Sequence, residues 1–88
     1  MYVDKIKNIL LNDCNFKKVY VLVYGDHYQI IVVDQVFIGK SKLERHKMVY
    51  APIMSLIIEN KIHSVSINAF HSDEWDVNRS LYIKNNCY

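Results

Sequence analysis

The first pattern in the chain is a helical spacing of apolar residues at its N-terminal end. Val3, Ile6 and Leu10 recur at intervals of three and four residues, and an Asn-Asp pair follows as a stop signal. This spacing places the three apolar side chains on one face of a helix. It predicts a first helix over about residues 2–12.

Two strand-like segments follow, with turn residues between them. In residues 18–24 valines alternate with tyrosines and a leucine, and all of these residue types favour strands. Gly25 and Asp26 supply turn chemistry, and the segment YQIIVVD over residues 28–34 then favours a second strand. The sequence predicts a β-hairpin here.

A helix signal follows the hairpin. Gly39 ends the strand region, and Ser41 stands three residues before Glu44 in the arrangement of a capping box. A helix is therefore expected over about residues 42–60. Pro52 is expected to kink this helix or to divide it in two, because proline removes one backbone donor and crowds the preceding turn.

The last part of the chain predicts one more strand and a short helix. Apolar and polar residues alternate over residues 64–70, and Ser72 precedes two acidic residues and Trp75, as an N-cap precedes a helix. The remaining sequence has no strong periodicity. We expect a single domain over residues 1–79 and a flexible tail over residues 80–88.

The predicted order is αββαβα, an α+β fold with a three-stranded mixed sheet and helices packed mainly on one face. The second and third strands are joined by about 20 helical residues, and such a crossover usually connects parallel neighbours. The starting ends of these two strands then lie at the same end of the sheet. His27 and His63 stand at those two starts, on strands that would be about 4.8 Å apart.

Composition narrows the class of protein. With 51% hydrophobic and 23% charged residues, the 88-residue chain is typical of one globular domain, and its net charge of +2 does not by itself indicate a nucleic-acid partner. The two cysteines, Cys14 and Cys87, form no CxxC motif and favour a reducing compartment. The densest apolar segment, residues 48–58, is about half as long as a membrane span. A cytoplasmic protein without membrane contact is expected.

His27 and His63 are the best candidate metal ligands, but two imidazoles do not complete a site. Zinc and a 2Fe–2S cluster each normally take four ligands. A partner would have to supply the others; the alternative is a pair of loop histidines hydrogen-bonded to nearby backbone. The chain has no Gly-rich phosphate loop, HExxH or GxSxG motif, so we expect no enzymatic activity.

A basic segment offers a second candidate site. Lys40, Lys42, Arg45 and Lys47 lie around the predicted start of the second helix, where cations and backbone donors can bind phosphate. The alternative is a solvated helix face. Trp75 also has two interpretations, an anchor of the last helix on the core or a partner-interface residue.

Three ordered segments resemble the BolA family. FIGKSKLERHKMVYAPIM is similar to the family pattern F-x-G-x-S-x-x-x-RH-x-MVY, and IHSVSI and HSDEW follow at matching separations. The resemblance covers about residues 2–76. The short hairpin turn in YGDHYQI and the proline in VYAPIM are most similar to the acid-stress-associated bacterial branch.

The resemblance implies a class II KH-like fold and a partnership with a monothiol glutaredoxin. In such pairs the two proteins share a bridging 2Fe–2S cluster, with a glutaredoxin cysteine and a glutathione thiolate on one side. The family histidine on the other side falls on His63, and a ligand from the first hairpin would fall on His27. No cluster is expected on the isolated chain, which should be a monomer.

The resemblance also implies an alternative function. Some bacterial members of the family act as DNA-binding transcriptional regulators of stress response and cell morphology. In this chain that role would fall on the basic segment, Lys40, Lys42, Arg45 and Lys47.

Overall fold

The computed structural model describes residues 2–59, residue 62 and residues 64–82. Over these residues the elements follow the predicted order. Their bounds are α1 Val3–Asn8, β1 Lys18–Tyr24, β2 His27–Val33, α2 Lys42–Ile58, β3 Ser64–Phe70 and α3 Ser72–Tyr82.

The three strands form one mixed sheet in the order β1-β2-β3. β1 and β2 are antiparallel, and β2 and β3 are parallel, with His27 opposite Ser64 and Val33 opposite Phe70. The helix α2 forms the crossover between the parallel strands. This confirms the predicted topology and brings the starts of β2 and β3 to one end of the sheet, which we call the hairpin end.

A two-residue turn joins β1 to β2. Tyr24 pairs directly with His27, and Gly25 has a φ of 59°, the positive value that the first central position of a type II′ turn requires. β2 thus begins one residue earlier than predicted. His27 lies within the strand, so the pleat of the sheet determines the face on which its side chain stands.

The core has two parts because alternate strand residues face opposite sides of the sheet. On one side, α1 and α2 pack against the sheet, with Ile6, Ile30 and Ile53 fully buried. On the other side, Trp75 of α3 packs against Leu22, Ile31 and Val33. Two helices therefore cover one face, and the third helix covers part of the other.

Two helices differ from the prediction in detail. The first is α-helical only to Asn8 and continues as a π-helical turn over Ile9–Asp13. Pro52 does not divide α2, which is one 17-residue helix. Buried Val49, Ile53 and Leu56 on both sides of the proline hold the two halves on the same core, which compensates for one lost backbone hydrogen bond. Across the described residues, no helix has the length and apolar character needed to span a membrane.

The last helix is longer than predicted. α3 extends to Tyr82, so residues 80–82, assigned to a tail from the sequence, are helical; residues 83–88 lie outside the described part of the chain. Ser72 is the first helical residue and not the N-cap, and its backbone N–H donates to the Gln35 side chain. The residue before the helix, His71, donates its N–H to Glu74 Oε1 at 2.9 Å.

Candidate functional site

His27 is held at the hairpin end of the sheet by two serines of β3. Its Nδ1 lies 2.5 Å from Ser64 Oγ, and its Nε2 lies 2.8 Å from Ser66 Oγ. The parallel register explains both contacts: Ser64 is the direct partner of His27, and Ser66 is the next residue of β3 on the same face. The half-buried imidazole is thereby fixed in orientation.

The two nitrogens of His27 have different surroundings. The Nδ1 contact is with exposed Ser64, whereas the Nε2 contact with Ser66 is partly buried. A metal ion that replaces Ser64 at Nδ1 would leave the Ser66 contact in place. A hydrogen bond to the second ring nitrogen is how proteins usually orient a ligating histidine. The geometry fits one imidazole ligand here, and it differs from the backbone-bonded loop histidine considered as the alternative.

The predicted partner of His27 falls outside the described residues. His63 immediately precedes Ser64, and the pairing of Ser64 with His27 confirms that β2 and β3 start side by side. The convergence of the two imidazoles stays a prediction. Among the residues that the structure describes, no three His, Cys, Asp or Glu side chains group together as a metal site, so ligands beyond His27 would have to come from His63 and from a partner.

The surroundings of Cys14 do not favour the thiolate form. It is a free, half-buried cysteine in a hollow of about 530 Å³ that Phe16, Met48 and Pro52 also line. Burial, and secondarily the charge of Asp13, raise the pKa of its thiol. The neutral thiol is a poor metal ligand, because metals bind the thiolate. The second cysteine, Cys87, lies outside the described residues.

The predicted capping box at the start of α2 is confirmed. Ser41 Oγ accepts from the Glu44 backbone N–H, and Glu44 Oε1 accepts from the Ser41 N–H, both at 3.2 Å. The Ser41 backbone and side chain, followed by nearby lysines, lower the pKa of Glu44. The carboxylate therefore occupies the helix start where a phosphate would bind. Lys42 and Lys47 are exposed beside it, and Lys40 is half-buried.

Arg45 differs from the three lysines because its guanidinium is bonded within the protein. Nε donates to the Lys40 carbonyl at 3.0 Å, and Nη1 donates to the Ala69 carbonyl at 3.1 Å and to Glu74 Oε1 at 2.6 Å. Its side chain is 13% exposed. Within the predicted basic segment, Lys42 and Lys47 are the exposed residues.

Glu74 completes this network on the side of α3. Burial opposes its ionisation, but hydrogen bonds from Arg45 and the His71 N–H, together with the charge of Arg45, outweigh burial and lower the pKa of Glu74. Sequence reasoning missed the pair. The predicted topology offered a signal. A helix that leads into a strand and packs on its sheet runs antiparallel to that strand, so the start of α2 lies near the end of β3.

Trp75 is a core residue. It is 3% exposed, and its ring stacks on Tyr20 with ring centroids 5.3 Å apart. This burial supports the anchor interpretation from the sequence. The buried ring of Trp75 is not available to contact a partner protein.

Comparisons with known proteins agree with this fold. The BolA-like protein family matches residues 13–74 of the chain. A protein of Buchnera aphidicola from Schizaphis graminum is 41% identical over 75 residues, which are 85% of this chain and 94% of the relative. The acid stress protein IbaG of Escherichia coli is 37% identical over 78 residues, which are 89% of this chain and 93% of that protein.

The structural comparison shows the same architecture. The solution structure of mouse BolA1 has a TM-score of 0.74 at 22% identity, and the match covers 98% of this chain and 77% of that one. A likeness at this identity supports the fold, and the sequence match supports the family and its acid-stress branch. The chain therefore belongs to the BolA family.

Proposed function

We propose that this protein is an adaptor that binds a monothiol glutaredoxin and shares a bridging 2Fe–2S cluster with it, in iron–sulfur trafficking or in iron and redox sensing. His63 and His27 would supply the ligands from this chain. A glutaredoxin cysteine and a glutathione thiolate would supply the other two. The cluster is cargo of the pair and not a resident cofactor of this chain.

The observation that carries the proposal is the pairing of His27 with Ser64. It brings one fixed imidazole beside the residue that follows His63 in sequence. The contact of His27 Nδ1 with Ser64 is an exposed one, which supports access by a second protein at this end of the sheet. Histidine ligation at one iron raises the potential of a 2Fe–2S cluster, which suits a transfer or sensing role.

The test is reconstitution with a glutaredoxin that carries its cluster. Visible circular dichroism and cluster lifetime are recorded for the parent chain and for His63→Ala, His27→Ala and His46→Ala. Removal of either proposed ligand should change the spectrum and shorten the lifetime. His46, an exposed histidine on α2, is the matched control and should leave both unchanged. Parent-like spectra for both His63→Ala and His27→Ala would refute the ligand assignment.

A second candidate function is a small DNA-binding regulator. It is supported by the exposed Lys42 and Lys47 and the half-buried Lys40 around the start of α2. Three cations give modest binding that weakens steeply with salt and carries no base specificity by itself. Arg45 is engaged with Glu74 and is a weaker candidate for phosphate contact.

Charge reversal distinguishes this second function from the first. Lys42→Glu with Lys47→Glu should weaken binding to a duplex DNA by roughly tenfold or more and should reduce the slope of affinity against salt. Lys5→Glu with Lys18→Glu, at exposed positions outside this segment, controls for net charge. A chain that binds no duplex at low salt does not have this function.

A further inference from the structure

β3 is an edge strand of the sheet. One side of its backbone pairs with β2, and the other, which we call the outer side, has no strand partner among the described residues. In a parallel strand the backbone groups of successive residues point to alternate sides. The Phe70 carbonyl accepts from the Asp34 N–H at 3.0 Å, on the side of β2. The N–H and C=O groups of Val65, Ile67 and Ala69 therefore point outward from the sheet.

Part of this outer side is already occupied. Arg45 Nη1 donates to the Ala69 carbonyl, and among the described residues this is the one side-chain hydrogen bond to the outer backbone of β3. The outward groups of Val65 and Ile67 remain for another strand. Unpaired groups of this kind are a template for added strands unless a protein covers them.

A groove lies beside the same edge. It has a volume of about 240 Å³ and is bounded by Lys42, Arg45 and His46 of α2 and by Ile67 and Ala69 of β3. We call it the β3 groove. A helix alongside an open strand edge is the arrangement in which domains such as PDZ add an extended peptide to their sheet. Main-chain hydrogen bonds then hold the peptide, and alternate side chains enter the groove.

Charge indicates which peptide fits. The Arg45 guanidinium is paired with Glu74 at 2.6 Å, whereas Lys42 is exposed at the groove with its charge available. A second copy of this chain would bring an identical lysine to the same place, which disfavours self-pairing. A carboxylate complements Lys42, and an apolar side chain complements Ile67.

We propose that the β3 groove binds an extended acidic segment of another protein by strand addition, with a carboxylate at Lys42 and an apolar side chain beside Ile67. This interaction needs no cluster and no histidine ligand. Only a short stretch of β3 is open, because Arg45 closes one end of it. Binding should therefore be weak for an isolated segment and should gain strength in a partner that makes other contacts.

The test uses the full chain, labelled with ¹⁵N, and synthetic seven-residue peptides with blocked termini. In the first peptide isoleucine and aspartate take turns at every second position, with threonine between them, so that both side chains reach one face of the added strand. A second peptide has lysine in place of aspartate, and a third is the acidic peptide with alternate backbone nitrogens methylated. The acidic peptide at about 1 mM, a concentration suited to weak binding, should shift the amide signals of Val65, Ile67 and Ala69. It should also slow hydrogen exchange at the Ile67 amide.

Three comparisons make the test decisive. The methylated peptide should fail to bind, because strand addition needs its N–H groups. Lys42→Glu should weaken binding of the acidic peptide roughly three- to tenfold and should strengthen binding of the lysine peptide. Lys47→Glu, which lies further along α2 and outside the groove, should change neither affinity.

Other outcomes overturn the proposal. The proposal is wrong if the β3 amide signals do not shift, or if the methylated peptide binds as tightly as the unmethylated one. It is also wrong if only a single-stranded oligonucleotide shifts those signals. Shifts of the β3 amides with the concentration of the protein alone would assign the edge to a second copy and would equally overturn it. Because no glutaredoxin is present, failure here is distinct from failure of the cluster adaptor function.

Discussion

The Arg45 guanidinium lies 2.6 Å from the Glu74 carboxylate and joins two helices that pack on opposite faces of the sheet. It reaches Glu74 around the outer edge of β3, where it also donates to the Ala69 carbonyl. The two residues belong to the segments RHKMVY and HSDEW, which carry the family resemblance. This contact gives a structural reason for both residues: they fasten α2, β3 and α3 together.

Breaking this pair should destabilise the fold. Arg45→Met leaves Glu74 without its main partner and should lower the free energy of unfolding by about 1–3 kcal/mol. This value lies between those of exposed and buried ion pairs, because the Glu74 side chain is 35% exposed. Urea denaturation followed by Trp75 fluorescence measures the change. Lys47→Met, an exposed cation on the same helix, should cost less than about 0.5 kcal/mol.

A double-mutant cycle separates the pair from its surroundings. Glu74→Gln combined with Arg45→Met should cost less than the sum of the two single changes, because either change alone leaves one polar group without its charged partner. Equal losses in Arg45→Met and Lys47→Met would contradict a structural role for the pair.

The same pair makes stability depend on pH. The pKa of Glu74 is lowered in the folded protein, so its contribution to stability is fully present above the unfolded value, near 4.5, and is lost as pH falls through the lower folded value. Glu74→Gln should therefore reduce the fall in unfolding free energy below about pH 5. Some of the fall should remain, because the pKa of Glu44 is lowered as well.

Unfolding free energies measured from neutral pH down to about pH 3 test this prediction. Glu59→Gln, which removes an exposed carboxylate at the end of α2, is the control for net charge. A Glu74→Gln protein with the same acid slope as the parent would show that the ion pair does not contribute to stability in this range.

The strands could be read from the sequence because their signals are local. Alternation over residues 18–24 and 64–70 gives both strands at their observed bounds, and the Gly-Asp turn gives the hairpin. The Arg45–Glu74 pair has no local signal, because the two residues are 29 positions apart. Only the topology, which brings the start of α2 near the end of β3, points to it. The bond from the Ser72 N–H to distant Gln35 likewise has no local signal.

The two serines that contact His27 should differ in function. If His27 ligates the proposed shared cluster through Nδ1, Ser66 at Nε2 is a positioning residue, and Ser64 is displaced when the cluster binds. Ser66→Ala should then shorten the lifetime of the glutaredoxin-shared cluster by about tenfold, whereas Ser64→Ala should leave it nearly unchanged.

A readout on the chain alone supports this comparison. The ¹⁵N shifts of the His27 ring report which nitrogen carries the proton, and Ser66→Ala should alter the tautomer ratio in the absence of any cluster. Equal effects of the two serine variants on cluster lifetime would indicate a different ligating atom. Parent-like ring shifts in Ser66→Ala would show that this hydroxyl does not orient the imidazole.

The final turn of α3 should contribute to the second part of the core. Tyr82 packs against Phe70 with ring centroids 5.6 Å apart and against Trp75 at 6.4 Å, whereas the adjacent Leu81 is 71% exposed. Tyr82→Ala should therefore lower the unfolding free energy by about 1–2 kcal/mol, through lost apolar burial and aromatic contact. Leu81→Ala, one residue away on the solvent side, should change it by less than about 0.5 kcal/mol. Thermal and urea unfolding followed by far-ultraviolet circular dichroism avoid any direct effect of the ring on Trp75 emission. If both variants are as stable as the parent, residues 80–82 behave as the tail that the sequence predicts, and the domain ends before them.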